Sequence, residues 1–305
     1  MRIVKNRISD QRNDYKQGGW SNQPVEAAKN ANVLMQIPTP ALHPFVKRIV
    51  IVEFPFERKL RLLPTTSFVA EFRFRGENAL DGGDKLPRTT ISGLRETSRT
   101  RSYQEGTAIL LAMFTEIGAM AFLRRPLDTL FNTTIPMDKV VDCAPQLSLL
   151  DEQLAAAIDH PQRIRIVESF LLEHIDNTRL DPIVFVAIAR IQQSNAIIRI
   201  ERLARRIGLS QSALERRFRY NVGASPKRFA SIFRLKNAIR LRARGGGSDF
   251  TSIAHSTGYS DQSHFIKEFK RATGFAPSAF FRESVICKNA EFLHVAFASN
   301  IKEPL

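Results

Sequence analysis

The sequence predicts an α+β chain of two domains, a β-rich N-terminal domain with trailing helices and an all-α C-terminal domain. The observation that weighs most is an internal echo. Leu203-Ala204, Gly208-Leu209-Ser210, Leu214, Phe218, Gly223 and Ser225-Pro226 are answered by Ile253-Ala254, Gly258-Tyr259-Ser260, Phe265, Phe269, Gly274 and Ala276-Pro277. The offset is 50 up to the serine and 51 from the second half onward. Two copies of one supersecondary unit are the simplest cause. A second observation is the charge, formally +15 over the chain. Residues 1–184 hold 24 Lys and Arg against 22 Asp and Glu, whereas residues 185–285 hold 19 against 6. The third is that residues 40–136 are rich in β-branched and aromatic runs broken by Gly and Pro.

Taken in order, residues 1–36 are polar, of mixed charge and poor in large apolar residues, and read as a flexible leader. Residues 37–184 form the β-rich domain. Strands are expected at 46–56, 67–74, 89–93 and 107–114. In the second of these, Phe68, Ala70, Phe72 and Phe74 alternate with Val69, Glu71 and Arg73, the pattern of a half-buried strand. Gly82-Gly83 and Pro87 punctuate the run. Helices are expected at 117–131, 146–158 and 163–175, the second carrying the stripe Leu147, Leu150, Leu154, Ile158. That stripe reads as core before it reads as a dimer contact. The apolar run 108–123 is too short for a span of ~20 residues and holds Glu116 in its middle, so no membrane segment is expected. Cys143 and Cys287, with no Cys-x-x-Cys, fit a reducing cytoplasm, and no secretory segment opens the chain. Residues 185–285 form the second domain, and residues 286–305 a tail of zero net charge.

Each repeat reads as a short helix, a tight turn and a second helix. Ile200, Leu203 and Ile207 make the apolar stripe of the first helix. Gly208 can then turn left-handed without a steric penalty, and Ser210 can cap the second helix. On that second helix Leu214 and Phe218 face inward, which places Ser212, Glu215, Arg216 and Arg219 on the opposite face. In the other copy Ser260 or Asp261 can cap, and Phe265 and Phe269 are the inward pair. Ser263, His264, Lys267, Lys270 and Arg271 share the outward side, with Gln262 at the N-terminal edge. A 51-residue shift superposes Ser212 on Ser263, Arg216 on Lys267 and Arg219 on Lys270. A helix-turn-helix places its second helix in the major groove of DNA. The plain alternative is a pair of ordinary amphipathic helices with solvated basic faces. Matched Gly, Ser, Phe and Pro positions in two copies weigh against it. The charge concentrated in the same segment fits phosphate binding.

These residues, with Arg234, Ala238, Leu241, Asp261 and Phe269-Lys270-Arg271, closely resemble the DNA-binding domain of AraC/XylS-type transcription regulators. The resemblance implies two helix-turn-helix subdomains joined by a long helix, here residues 226–242. It implies base-proximal roles for Ser212, Glu215 and Arg216 in a first reader and for Gln262, Ser263, His264 and Lys267 in a second. Glu215 can instead merely pair with Arg219 four residues on. Arg244-Gly245-Gly246-Gly247-Ser248 departs from the short polar turn usual there and puts the spacing of the readers in question. The N-terminal domain resembles the cupin-like sensor part of the same family, on His43-Pro44-Phe45-Val46, Thr90-Ile91-Ser92-Gly93 and the passage from Met113 to Leu123. This implies a small-molecule effector or a homodimer contact, and contact with RNA polymerase should the protein activate.

Enzymatic readings trail. His43 is the one histidine of the β-rich part, too few for a metal-dependent cupin site. Cys143 alone cannot build a four-cysteine zinc site, and no Gly-x-Ser-x-Gly elbow is present. No cofactor, metal or catalytic residue is expected. The remaining alternatives are an architectural DNA binder without sequence preference and an enzyme with an appended DNA-binding domain.

Overall fold

The structure is a computed structural model and describes residues 31–80, 83–123, 125–141, 144–243, 249–283, 285–286 and 295–297. Cys143, Cys287, Gly82 and the stretch 244–248 lie outside the described residues, as does most of the expected leader.

The N-terminal domain is two antiparallel sheets. The strands are β1 (Asn32–Gln36), β2 (Val46–Phe54), β3 (Arg58–Leu62), β4 (Val69–Arg75), β5 (Asn78–Leu80), β6 (Thr89–Ser92), β7 (Arg99–Tyr103), β8 (Thr107–Phe114) and β9 (Thr134–Pro136). One sheet runs β1-β2-β8-β4-β6-β9. The other contains β3-β7-β5, extended beyond β3 by two C-terminal strands, β10 (Val285–Ile286) and β11 (Val295–Phe297). Asn32–Gln36, expected in the leader, pairs along β2, and part of the expected tail pairs with β3.

β4 shows why the sheets lie as they do. Ala70, Phe72 and Phe74 join a core against the helices, with Phe72 edge-on to Phe170 at 6.3 Å. The alternation predicts that the other side of the strand is wet. Instead Glu71 is 4% exposed, because it points between the sheets and accepts from Arg101 on β7. The two faces of the strand separate as the alternation requires, but the polar residue is satisfied inside by an opposite charge from the second sheet.

The helices that follow are α1 (Gly118–Leu123), α2 (Ala144–Ala156), α3 (His160–His174) and α4 (Pro182–Gln193). The expected helix 117–131 splits at Pro126 into α1 and a 3-10 turn, Leu127–Leu130, since proline ends a helix before it. Leu147, Leu150 and Leu154 are core, while Ile158 lies past the end of α2 and is exposed. The expected boundary at 184/185 falls inside α4. Asp181 caps that helix by accepting from Ile183 and Val184, and Pro182 occupies its first turn.

One apolar core runs from Phe68 and Phe72 through Leu127 and Leu130 to Leu203, Leu214, Phe218 and Phe229. A separate core holds Ile253, Phe265, Phe269 and Phe280 with Leu235. Each fully buried aromatic contributes about 1.5–3 kcal/mol of burial free energy.

Candidate nucleic-acid interface

The helix-turn-helix geometry is built twice from the same local rules. In the first copy α5 (Ile200–Arg206) ends ahead of Gly208, which sits at φ +74°. Ser210 then caps α6 (Gln211–Val222) by accepting from the Ala213 N–H at 3.2 Å. Gly223 closes α6 in the left-handed region. The long helix α7 (Pro226–Ala243) leads to the second copy. There α8 (Phe250–Ser256) is capped by Asp249, and Gly258 turns at φ +83°. Asp261 caps α9 (Gln262–Thr273) by accepting from the His264 N–H at 2.8 Å, and Gly274 closes it left-handed. A last helix, α10 (Pro277–Glu283), packs Phe280 onto Phe269. The extra residue that changes the offset from 50 to 51 is thus located. Asp261, one position after Ser260, does in the second copy what Ser210 does in the first. The hydrogen bond from the His264 N–H, with one from Ser260, holds the Asp261 carboxyl below its ordinary range, so the cap is an anion at the positive end of α9.

The outward residues separate by what already engages them. Ser212, Arg216, Arg219, Gln262, Ser263, Lys267, Lys270 and Arg271 are exposed, and Glu215 and His264 are half-buried. Arg216, Lys267 and Lys270 have no hydrogen-bonding or ionic partner among the described residues. Glu215 is engaged on both sides, accepting from Gln211 at 3.0 Å and lying 4.0 Å from Arg219. Ser212 shares a hydrogen bond with the cap Ser210, and Gln262 accepts from Thr251 of α8 at 3.0 Å. His264 meets Ser260 at 3.0 Å.

Glu268 is a group the repeat alignment passes over. It accepts from Ser231 of α7 at 3.2 Å and stands 3.9 Å from Arg234, 3.8 Å from His264 and 3.6 Å from Arg271. His264 and Arg271 are therefore partly committed to the joint between α9 and α7. The readable signal is an acid at i+4 from one and i−3 from the other. Arg202 and Arg206 on α5 and Lys227 at the start of α7 are further exposed cations without a partner among the described residues. Arg217, beside Arg216, is instead held by Asp181 at 2.9 Å.

Residues 203–283 match a family model described as a helix-turn-helix domain. A protein of Streptomyces lividans named as an AraC-like transcription regulator is 33% identical over 101 residues, 33% of each chain. The C-terminal unit is an AraC-type helix-turn-helix domain. The transcriptional activator RhaS of Pectobacterium carotovorum is 36% identical to the chain over 77 residues, 25% of this chain and 27% of RhaS. An HTH-type transcriptional regulator of Haemophilus influenzae is 32% identical over 126 residues, 41% of each. These matches span between 27% and 41% of the relatives' own length. Ahead of the AraC-type domain, among the described residues, no group of three or more His, Cys, Asp or Glu could hold a metal ion. No helix among them is long and apolar enough to cross a membrane.

Proposed function

We propose that the chain is a sequence-specific DNA-binding transcription regulator that reads two adjacent major-groove segments, α6 serving as the first reader and α9 as the second. The observation that carries this is the pair Arg216 and Lys267. They occupy equivalent turns of two capped helices, both are exposed, and neither has a partner among the described residues. A cation left unpaired on a reader helix can bond guanine O6 and N7. Ser212, Ser263 and Gln262 stand at the N-terminal ends of the same helices, within reach of base edges or phosphates. Glu215 either accepts from a cytosine amine or orders Arg219. Arg219, Lys270 and Arg271 take phosphates, as do Arg202, Arg206 and Lys227. The N-terminal domain sets when the protein acts, through a small-molecule effector or by forming a homodimer, and an activator of this kind contacts RNA polymerase.

Selection of bound duplexes from a random pool tests the reading. A motif of two short elements about one helical turn apart is expected. With six or so phosphates contacted, affinity falls about a thousandfold between 50 and 200 mM salt. Equal affinity for random duplex and selected motif would make the protein an architectural binder instead.

A further inference from the structure

The first helices of the two copies differ in charge at matched positions. A 50-residue shift sets Arg199, Arg202, Arg205 and Arg206 of the first copy over Asp249, Ser252, His255 and Ser256 of the second. All eight residues are exposed, so packing does not choose between them. The arginines cost α5 stability. Asp249 caps α8 by accepting from the Ser252 N–H at 2.7 Å. Arg199, ahead of α5, makes no side-chain cap and puts a cation at the positive end of the helix. Arg199 and Arg202, three apart, and Arg202 and Arg206, four apart, repel each other. Local rules broken in this way mark functional surfaces, where a partner offsets the cost.

The four arginines fall into two sets. Arg205 is paired with Glu201 at 3.1 Å. Arg199, Arg202 and Arg206 have no hydrogen-bonding or ionic partner among the described residues. At 3.6 residues per turn these three fall within an arc of about 60° on one flank of α5, with Glu201 and Arg205 on the other flank. The stripe is about 10 Å long at ~1.5 Å per residue, a length over which one DNA strand presents about three phosphates.

We propose that this flank of α5 is a phosphate clamp on the DNA backbone beside the first element, a device that α8 lacks. The two copies then divide the work. The first supplies more of the sequence-independent affinity, and the second depends more on base contacts. This rests on α6 and α9 being the readers, since the first helix of a helix-turn-helix crosses the backbone while the second lies in the groove. α5 packs against α6, so its free flank travels with the first reader. Guanidinium groups pair with phosphate oxygens bidentately, and each pairing relieves the repulsion along the stripe. Charge alone would also suit an acidic protein surface, but the neighbouring reader helix favours DNA.

Salt titration of duplex binding by the full chain tests the clamp. Arg202→Ser combined with Arg206→Ser installs the residues of the second copy at exposed positions. Two lost phosphate contacts should lower the slope of log affinity against log salt by about 2. The loss of affinity between 50 and 200 mM salt should then shrink from about a thousandfold to about a hundredfold. At low salt, affinity should drop by the same factor on the selected motif and on random duplex, because phosphates carry no sequence. Arg205→Ser removes the same charge from the other flank and should leave the slope unchanged. Should the double variant not fold, Arg206→Ser alone should lower the slope by about 1. An unchanged slope in the double variant would overturn the clamp and leave the stripe to an acidic protein. An equal drop for Arg205→Ser, or a loss confined to the selected motif, would overturn it as well. If the wild-type chain binds duplex DNA but selects no two-element motif, the reader model fails instead, and the slopes on random duplex still judge the clamp.

Discussion

The two helix-turn-helix copies share their caps and turns but are attached to the rest of the molecule in opposite ways. The first is fused by apolar contact. Leu203, Leu214 and Phe218 belong to the same core as Phe68 and Leu127 of the N-terminal domain. The second has its own core around Phe265 and Phe269, to which the N-terminal domain adds Leu63. Its end is otherwise held by polar contacts to backbone. Ser98 donates to Ala272 and Thr273, and Arg61 donates to Thr273 at 3.1 Å and lies over the Phe275 ring at 4.6 Å. A large apolar interface is slow and costly to open, whereas a few hydrogen bonds each contribute about 1 kcal/mol. The first copy thus shares the core of the N-terminal domain, whereas the second is joined to that domain through Leu63 and these polar contacts.

The largest effect should come from emptying the two cores at equivalent positions. Phe218→Ala and Phe269→Ala should each cost about 3–5 kcal/mol, since both side chains are 0% exposed. Hydrogen exchange should separate them. Loss of Phe218 should accelerate exchange in β4 and around Leu127, whereas loss of Phe269 should confine it to α8, α9 and α10. Identical exchange maps would mean that the cores are one.

The closing glycines sharpen the same contrast. Gly223 sits at φ +87°, and a Cβ there would meet the Leu127 carbonyl oxygen at 2.9 Å and the Phe68 ring at 3.2 Å. Gly208 is at φ +74° with nothing within 4 Å. Left-handed backbone alone costs about 1–2 kcal/mol for an alanine. Gly208→Ala should therefore cost about that much in chemical denaturation, and Gly223→Ala about 1 kcal/mol more, because a backbone oxygen cannot move aside.

An ion pair within the N-terminal domain, Lys47 with Glu116, should show in pH. Burial would raise the pKa of the Glu116 carboxyl, but the Lys47 ammonium at 2.5 Å, with Lys236 of α7 farther off, holds it below the ordinary range. A depressed folded value means that its contribution is present above the unfolded pKa of about 4.3 and is lost as pH falls through the folded value. Glu116→Gln should cost about 2 kcal/mol at pH 7, with the gap from wild type closing below about pH 4. A constant gap across that range would assign the effect to packing.

The smallest stability effect belongs to the polar grip. Ser98→Ala should cost about 1 kcal/mol or less of stability. It should nevertheless change the preferred spacing between the two DNA elements in a selection experiment, because the second reader is freed at its end. Unchanged spacing would show that α7 alone sets the distance.

Much of this architecture is legible in the residues alone. The repeat, its two capping positions and the inward Phe pairs follow from residue spacing, since helix caps and 3.6-residue periodicity are local rules. α4 is equally legible from Asp181-Pro182, a cap followed by a first-turn proline, although its residues read as a domain boundary. Spacing cannot show features that depend on distant partners. β7 contains Arg99 and Arg101 and looks polar until Glu71 neutralises Arg101 from the facing sheet. Likewise His264 and Arg271 look like free reader residues until Glu268 draws them toward Ser231 and Arg234.

Whether two equivalent helices read two different DNA segments is tested most directly by a base-by-base substitution scan of the selected motif with Arg216→Ala and Lys267→Ala. Each variant should lose about 1–3 kcal/mol of discrimination at its own base position. The two positions should lie in separate elements about one helical turn apart. Relaxation of the same base pair by both variants, or of none by either, would contradict the two-reader arrangement.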